Sequence, residues 1–517
     1  MPIQHFFVLM LENRSFDHVF GFSTIPDLDK PDPATDSNID PVTGISIPVA
    51  EGADFSLKGV DADPGHEFED GLRQLAGPGT QHLQPGTGKY PPITNKGFVD
   101  SYRTSGSGSP GRIMKCFSPD QLPVLNQLAS EFVLCDHWYA SLPGPTWPNR
   151  FFMMAATSGG LTKSPSTGDI IQATAFAGYG FEHGNIFDAL DRQGIEWVIF
   201  EGDKFPVSFA LKGMNDNRLK GRFVDFANFE QHIGDPAFGS KFIFIEPQYG
   251  SHKFDVTGPG DFSGGNSMHP LDDVRNGEAL IKQVYETIRK FPSVWNNAAL
   301  LIVFDEHGGF YDHATPPTCI PPGDNSVNAA GGQEPFLFDQ LGVRVPALVI
   351  SPLVIKGAVD HRNYDHASAL ATVERIFGVG SLTQRDNAAI DLGHLFSLAT
   401  PRTDTPDVLS NPAPSSALET MAPEPVDTQD KLKRDLVAID TPSISSMVSP
   451  RANEPLASDP QVGFAYVALM RAMGHADTEQ EKEEWKNEFR GIRTRKDAAR
   501  FMTRAKLRVY YNEYVKR

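Results

Sequence analysis

Apolar residues fall in short unbroken runs at 6–11, 132–135, 197–200, 242–245 and 300–304. The runs do not alternate with polar positions, and they are rich in Val, Ile and Phe. This pattern predicts strands buried on both faces, as in a parallel sheet covered by helices. A further run at 345–350 leads into Ser351 and Pro352. Helical spacing lies between the runs. The stretch 185–193 starts on Asn185, a residue suited to capping, and 272–289 repeats Val274, Leu280, Ile281, Val284 and Ile288 at helical intervals. The stretch 367–377 closes on Gly378, a helix stop. Strand and helix in alternation predict an α/β fold.

Each of the first five runs ends on an acid: Glu12, Asp136, Glu201, Glu246 and Asp305. Ligands of open α/β sheets bind beyond the carboxyl ends of the strands. Acids in a row there suit a cation, or they cap the next turn. Stretches 31–58 and 77–96, rich in Pro, Gly, Asp and Thr, read as loops. The texture changes near residue 398. The reading is a catalytic domain over 1–398, a Pro/Ser/Asp-rich connecting segment over 399–450, and a charged helical segment over 451–517.

Composition narrows the partners. The 517 residues carry 46 basic and 65 acidic side chains, a formal net charge of −19. That field repels nucleic-acid backbones and broad anionic lipid surfaces. No apolar run approaches the ~18 residues that span a membrane. Three cysteines, Cys116, Cys135 and Cys319, are too few for a disulfide framework. The N-terminal stretch lacks a basic start and a small-residue cleavage site. The expectation is a cytoplasmic protein, or a secreted one if a leader is missing from the sequence.

Three clusters carry chemistry. Glu12 and Asn13, where the first strand emerges, are hard oxygen donors suited to a divalent cation. Asp305 and Glu306 set two carboxylates side by side next to His307, a costly arrangement without a cation. Glycines 308 and 309 permit a tight turn that brings Asp312 and His313 back to the same neighbourhood. The third cluster runs over 141–150. Pro148 places Thr146 near a helix start, where the positive helix end favours an alkoxide. Stretch 146–150 has the form T-x-P-x-R, related to the C/S-x-P-x-R of sulfatases. Threonine cannot give the sulfatase aldehyde, so the residue points to direct attack by a hydroxyl. His66, His269 and His366 each stand between a loop-like and a helical stretch, and His137, His183 and His252 are weaker candidates.

The segments LENRSFDHVFG, DPGHEF, SLPGPTWPNRFF, HP followed by DDV, and FDEHGGFYDH resemble the motifs of the bacterial phospholipase C and acid phosphatase phosphoesterase family, which includes the plant non-specific phospholipases C. The likeness keeps the same order from about residue 3 to about residue 380. It implies an alkaline-phosphatase-like three-layer sandwich, a mostly parallel sheet flanked by helices, here with a helical C-terminal extension. It implies a metal held by Glu12, Asn13, Asp305, Glu306 and the hydroxyl of Thr146. Plant members have threonine at the Thr146 position, and the acid phosphatase branch uses serine. His66, His269, His307 and His366 match positions around the phosphate.

The expected activity is metal-dependent hydrolysis of a phosphate ester through a phospho-threonine, with Asn149 or Arg150 meeting phosphoryl charge. The metal is Ca²⁺, Mg²⁺, Mn²⁺ or Zn²⁺. A phospholipase C acting on glycerophospholipids such as phosphatidylcholine is favoured, with transient contact to a membrane surface. Trp138, Tyr139 and Trp147 either line an apolar entrance or belong to the core. The alternatives are an acid-phosphatase-type monoesterase and a non-catalytic metal-binding protein on the same scaffold.

Overall fold

The apolar runs become strands of one eight-stranded sheet. The structure is a computed structural model that describes residues 3–85, 87–165, 178–203, 206–250, 264–324, 335–414, 480, 484, 485 and 487. The strands are β1 (His5–Leu11), β2 (Val133–Cys135), β3 (Trp197–Glu201), β4 (Phe223–Asp225), β5 (Phe242–Glu246), β6 (Ala298–Phe304), β7 (Ala347–Ile350) and β8 (Ala358–Asp360). Their order across the sheet is β8-β2-β7-β6-β1-β5-β3-β4. Every residue of the central β1 and β6 is buried, which is why neither alternates.

All pairings are parallel except those of β7, which runs antiparallel to both β6 and β2. The chain leaves β6 at one sheet edge and enters β7 from that same edge, so no crossover is needed. Sequence periodicity had no signal for this reversal. The edge strands β4 and β8 were also missed. Each has only three residues and is partly exposed, so neither forms a continuous apolar run.

The helices used below are α1 (Phe68–Ala76), α2 (Pro123–Glu131), α3 (Thr146–Ala155), α4 (Ile186–Arg192), α5 (Val274–Lys290) and α6 (His366–Phe377). Asn185 caps α4 by accepting the Asp188 amide at 3.0 Å, and Gly378 ends α6 with φ 74°. Glu278 of α5, fully buried, accepts the Leu125 amide at 2.9 Å and so caps α2 from a distant element. No helix among the described residues is long and apolar enough to cross a membrane.

The chain divides into two units. One comprises Met1–Ser164, Gly180–Ser208 and Asp216–Ala413; the other comprises Pro165–Tyr179, Phe209–Asn215 and Pro414–Arg517. The sheet and every candidate site residue lie in the first. The expected C-terminal helical segment lies outside the described residues apart from Gln480, Glu484, Trp485 and Asn487, which are helical. His252 also lies outside them.

Candidate active site

Because β1, β2, β3, β5 and β6 run the same way, their terminal acids share one sheet edge. Asp136, Glu201 and Glu246 serve the scaffold, Glu246 by pairing with Arg150. Asp136 accepts the Asp29 amide at 3.0 Å and pairs with His361 at 2.9 Å, and Glu201 pairs with Arg218. The ends of β1 and β6 are bound to one another. Asp305 donates its amide to Leu11 O at 3.1 Å, and Arg14 donates its amide to Glu306 O at 3.0 Å. Asn13 takes the left-handed conformation, φ 60°, and donates its amide to Asp305 Oδ1 at 3.1 Å. The turn after β6 needs glycine. Gly308 has φ 63°, and a Cβ there would stand 2.1 Å from Asn13 O.

Thr146 is the first residue of α3, and its half-buried hydroxyl donates to Asn13 Oδ1 at 3.3 Å. That single contact brings the third sequence cluster to the first. The loop before α3 is held by Asn149, whose amide bonds Leu142 O, Gly144 O and Pro145 O and accepts from the Leu142 amide. Arg150 is wholly buried. It donates to Asp305 Oδ2 at 2.8 Å, Glu246 Oε2 at 2.9 Å, Met10 O at 3.1 Å and Leu11 O at 3.3 Å. The polar atoms of Asn149 and Arg150, the residues expected to meet phosphoryl charge, are engaged inside the scaffold.

The electrostatics suit a cation. Burial pushes the Glu12 carboxyl well above its usual range, with Asp305 adding to the rise against the pull of Arg150. Burial likewise raises Asp305 to about 6, with Glu306 adding to it while Arg150 opposes. Glu12 Oε2 and Glu306 Oε1 are buried and have no hydrogen-bond partner. Orphaned carboxylate oxygens, an amide oxygen and a hydroxyl are hard donors, the type that suits a divalent cation. Asp305 is the most heavily engaged member. Its Oδ1 accepts the Asn13 and Glu306 amides, and its Oδ2 takes Arg150.

The four histidines divide. His66 Nε2 faces the Asn13 amide at 3.4 Å, while its Nδ1 donates to Pro64 O at 2.7 Å. Burial opposes its charge, yet Glu306 and Asp63 outweigh that and raise it to about 9. His269 stands edge-on to His66 with ring centroids 6.0 Å apart, and its Nε2 is 3.7 Å from Asp63. Burial, then His66 and Arg14, push His269 well below the usual range. His307 lies between Gln74 and Glu306. His366, also expected around the phosphate, is bonded to the scaffold. It is fully buried, its Nδ1 accepts from Trp138 at 3.3 Å, and its Nε2 donates to Asp305 O at 2.7 Å. Both ring nitrogens are engaged, so His366 supports the end of β6. Trp138 and Tyr139 are buried in the core, and Trp147 is half-buried.

A second group of ligand-type side chains was not named as a metal site from the sequence. Asp17, Asp312 and His313 bring one ligand atom each within 4.8 Å of the others. Arg344, fully buried, pairs with Asp17 at 2.7 Å and Asp312 at 3.1 Å. Burial opposes charge on His313, but its bonds to Asp17 and Asp29 raise it to about 10. The three side chains form a candidate metal site that shares its carboxylates with Arg344. The signal was present in the sequence as Asp17, Asp312 and His313 within their motifs, but the arginine that joins them is remote in the chain.

A mixed, mostly parallel α/β sheet with oxygen donors at its carboxyl edge, beside a hydroxyl at a helix start, defines a hydrolase of the phosphoesterase class. Residues 3–380 match the Phosphoesterase family, and the chain belongs to that family. Over 435 residues it is 36% identical to non-specific phospholipase C6 of Arabidopsis thaliana, covering 81% of this chain and 77% of that one. It is 28% identical over 454 residues to phospholipase C B of Mycobacterium tuberculosis (strain ATCC 25618 / H37Rv), covering 79% of this chain and 80% of the relative. Among solved structures, a protein in the alkaline phosphatase superfamily from Vibrio parahaemolyticus is similar at 16% identity and a TM-score of 0.30, over 52% of this chain and 64% of that chain. The protein is a phospholipase C-like phosphoesterase hydrolase.

Proposed function

We propose that the protein hydrolyses phosphodiesters through a phospho-threonine at Thr146, with glycerophospholipids such as phosphatidylcholine as substrates. The observation that carries this reading is the Thr146 hydroxyl on Asn13 Oδ1, beside two buried carboxylates with orphaned oxygens. The plant relatives named as non-specific phospholipases C support the lipid substrate. A divalent cation held by Glu12, Asn13, Thr146, Asp305 and Glu306 would lower the pKa of the hydroxyl and offset charge on the phosphoryl oxygens.

The chain's own residues supply the rest. Asn13 Oδ1 accepts a hydrogen bond from the Thr146 hydroxyl and so aims the oxygen lone pairs away from itself. Attack forms the Thr146 Oγ1–P bond and breaks the bond from phosphorus to the diacylglycerol oxygen. The Thr146 proton passes to one histidine, and the departing oxygen takes a proton in its turn. Water then attacks phosphorus, which releases the phosphorylated headgroup and restores the threonine. His66, which faces Asn13, and His269 beside it are the proton carriers for these two steps.

A panel of metal-stripped and metal-restored protein tests the reading on p-nitrophenyl phosphate, p-nitrophenyl phosphorylcholine and phosphatidylcholine micelles. The expected result is metal-dependent release of phosphocholine. Turnover of the monoester alone would move the protein to the phosphatase branch.

The surface offers a feature that suits a lipid substrate. A hairpin of Ser37–Ile39 and Ser46–Pro48 exposes Ile39, Val42 and Ile45, at 58%, 74% and 61%. Asp40 braces its turn, accepting from Val42 N at 3.0 Å, Thr43 Oγ1 at 2.8 Å and Arg103 Nε at 2.6 Å. Val42→Asp with Ile45→Asp should slow hydrolysis of phosphatidylcholine vesicles several-fold and leave p-nitrophenyl phosphorylcholine turnover unchanged. Equal losses on both substrates would exclude a lipid-contact role for the hairpin.

A further inference from the structure

We infer that Gln74 is a positioning residue that, through His307, ties the turn carrying Glu306 to the loop carrying His66. Gln74 lies on α1, far in sequence from both, and is 1% exposed. Its Nε2 donates to Gly65 O at 2.7 Å and to Ser101 Oγ at 3.1 Å. Those two acceptors settle which end of the amide is nitrogen. Its Oε1 therefore faces His307 Nε2, at 2.7 Å, and accepts from it. The bond fixes the His307 ring, whose Nδ1 lies 3.2 Å from Glu306 Oε2.

Glu306 Oε2 accepts the Gly308 amide at 2.7 Å. Oε2 is thus engaged, and Oε1 is left buried without a partner as the atom available to a cation. The same amide holds Gly65, the residue before His66. A single side chain therefore ties the loop that carries His66 to the turn that carries Glu306. Partners of this kind orient the groups that bind a metal, and their loss typically weakens affinity by ~10–100-fold. The inference rests on the proposed cation site.

The test compares wild type with Gln74→Met, which keeps the length of the side chain and removes its polar atoms. Mn²⁺ affinity of the metal-stripped protein is measured by calorimetry, with kcat and KM on p-nitrophenyl phosphorylcholine. A ~10–100-fold weaker Mn²⁺ affinity is expected, with a fall in kcat and little change in KM. Folded Gln74→Met protein that binds Mn²⁺ like wild type would overturn the inference and leave the cation site standing. Wild type that binds no Mn²⁺ would remove the cation site itself, and the inference with it. An arm independent of the variant's folding uses ¹⁵N-histidine-labelled wild type, with His307 assigned through His307→Gln. The expected signature is a protonated Nε2, and an unprotonated Nε2 would overturn the inference.

Discussion

Thr146→Ala protein should fold normally and lose roughly 10³–10⁶-fold in kcat, the range seen when a covalent nucleophile is removed. The structure explains why folding survives. Thr146 is half-buried, and its hydroxyl makes one hydrogen bond, of 3.3 Å. It stands at the first helical position, after Pro145, and alanine is well suited to a helix. The chemistry has no such reserve. Without Oγ1 no atom of α3 can form the bond to phosphorus, and water would have to attack from a position the site does not hold. Thr146→Ser should keep much of the rate, since the hydroxyl remains. The measurement is kcat on p-nitrophenyl phosphorylcholine with circular-dichroism melting alongside. Acid-quenched wild type should carry a phosphate on the peptide containing Thr146. Turnover of Thr146→Ala within tenfold of wild type would end the covalent mechanism.

Arg150→Met should destabilise the protein by about 3–5 kcal/mol, the usual cost of leaving a buried charge without its partner. Arg150 is completely buried between Asp305 and Glu246, at 2.8 Å and 2.9 Å, and its guanidinium lies 5.1 Å from the ring centre of Tyr249. Burial works against its charge, but Tyr249, Asp305, Glu246 and Glu12 together hold it protonated above the ordinary arginine range. Methionine would fill part of the volume and leave two carboxyls and the carbonyls of Met10 and Leu11 without their donor. Arg150→Lys should recover only part of the loss, because an ammonium cannot reproduce a fork directed at four acceptors. Urea unfolding of wild type and both variants checks this. A loss below ~1 kcal/mol for Arg150→Met would show that the buried pair contributes little.

Both outcomes turn on residues adjacent in sequence and different in role. The TWPNR segment offered Thr146, Asn149 and Arg150 together as groups around phosphate. The hydrogen-bond partners separate them. Asn149 bonds its own loop, four to seven residues away, and Arg150 reaches residues 96 and 155 positions away. Nothing in local spacing distinguishes these tasks. His366 is a similar case, since its motif placed it near the site and its two partners, Trp138 and Asp305 O, make it a support.

What the sequence determined by itself is local. Unbroken apolar runs marked the buried strands, because a strand covered on both faces has no polar side. Acids at the run ends marked the edge where donors gather, and Asn185 and Gly378 marked helix ends through backbone chemistry confined to a few residues. Only the tertiary structure decided the strand order, the reversal of β7, and which acids keep an orphaned oxygen. Pairing between strands depends on contacts hundreds of residues apart, as in Asn13 with Asp305. Whether a carboxylate is satisfied depends on every group packed around it. Asp136 and Glu246 find hydrogen-bond partners where Glu12 Oε2 and Glu306 Oε1 do not, and Gln74 became visible only when folding brought it against His307.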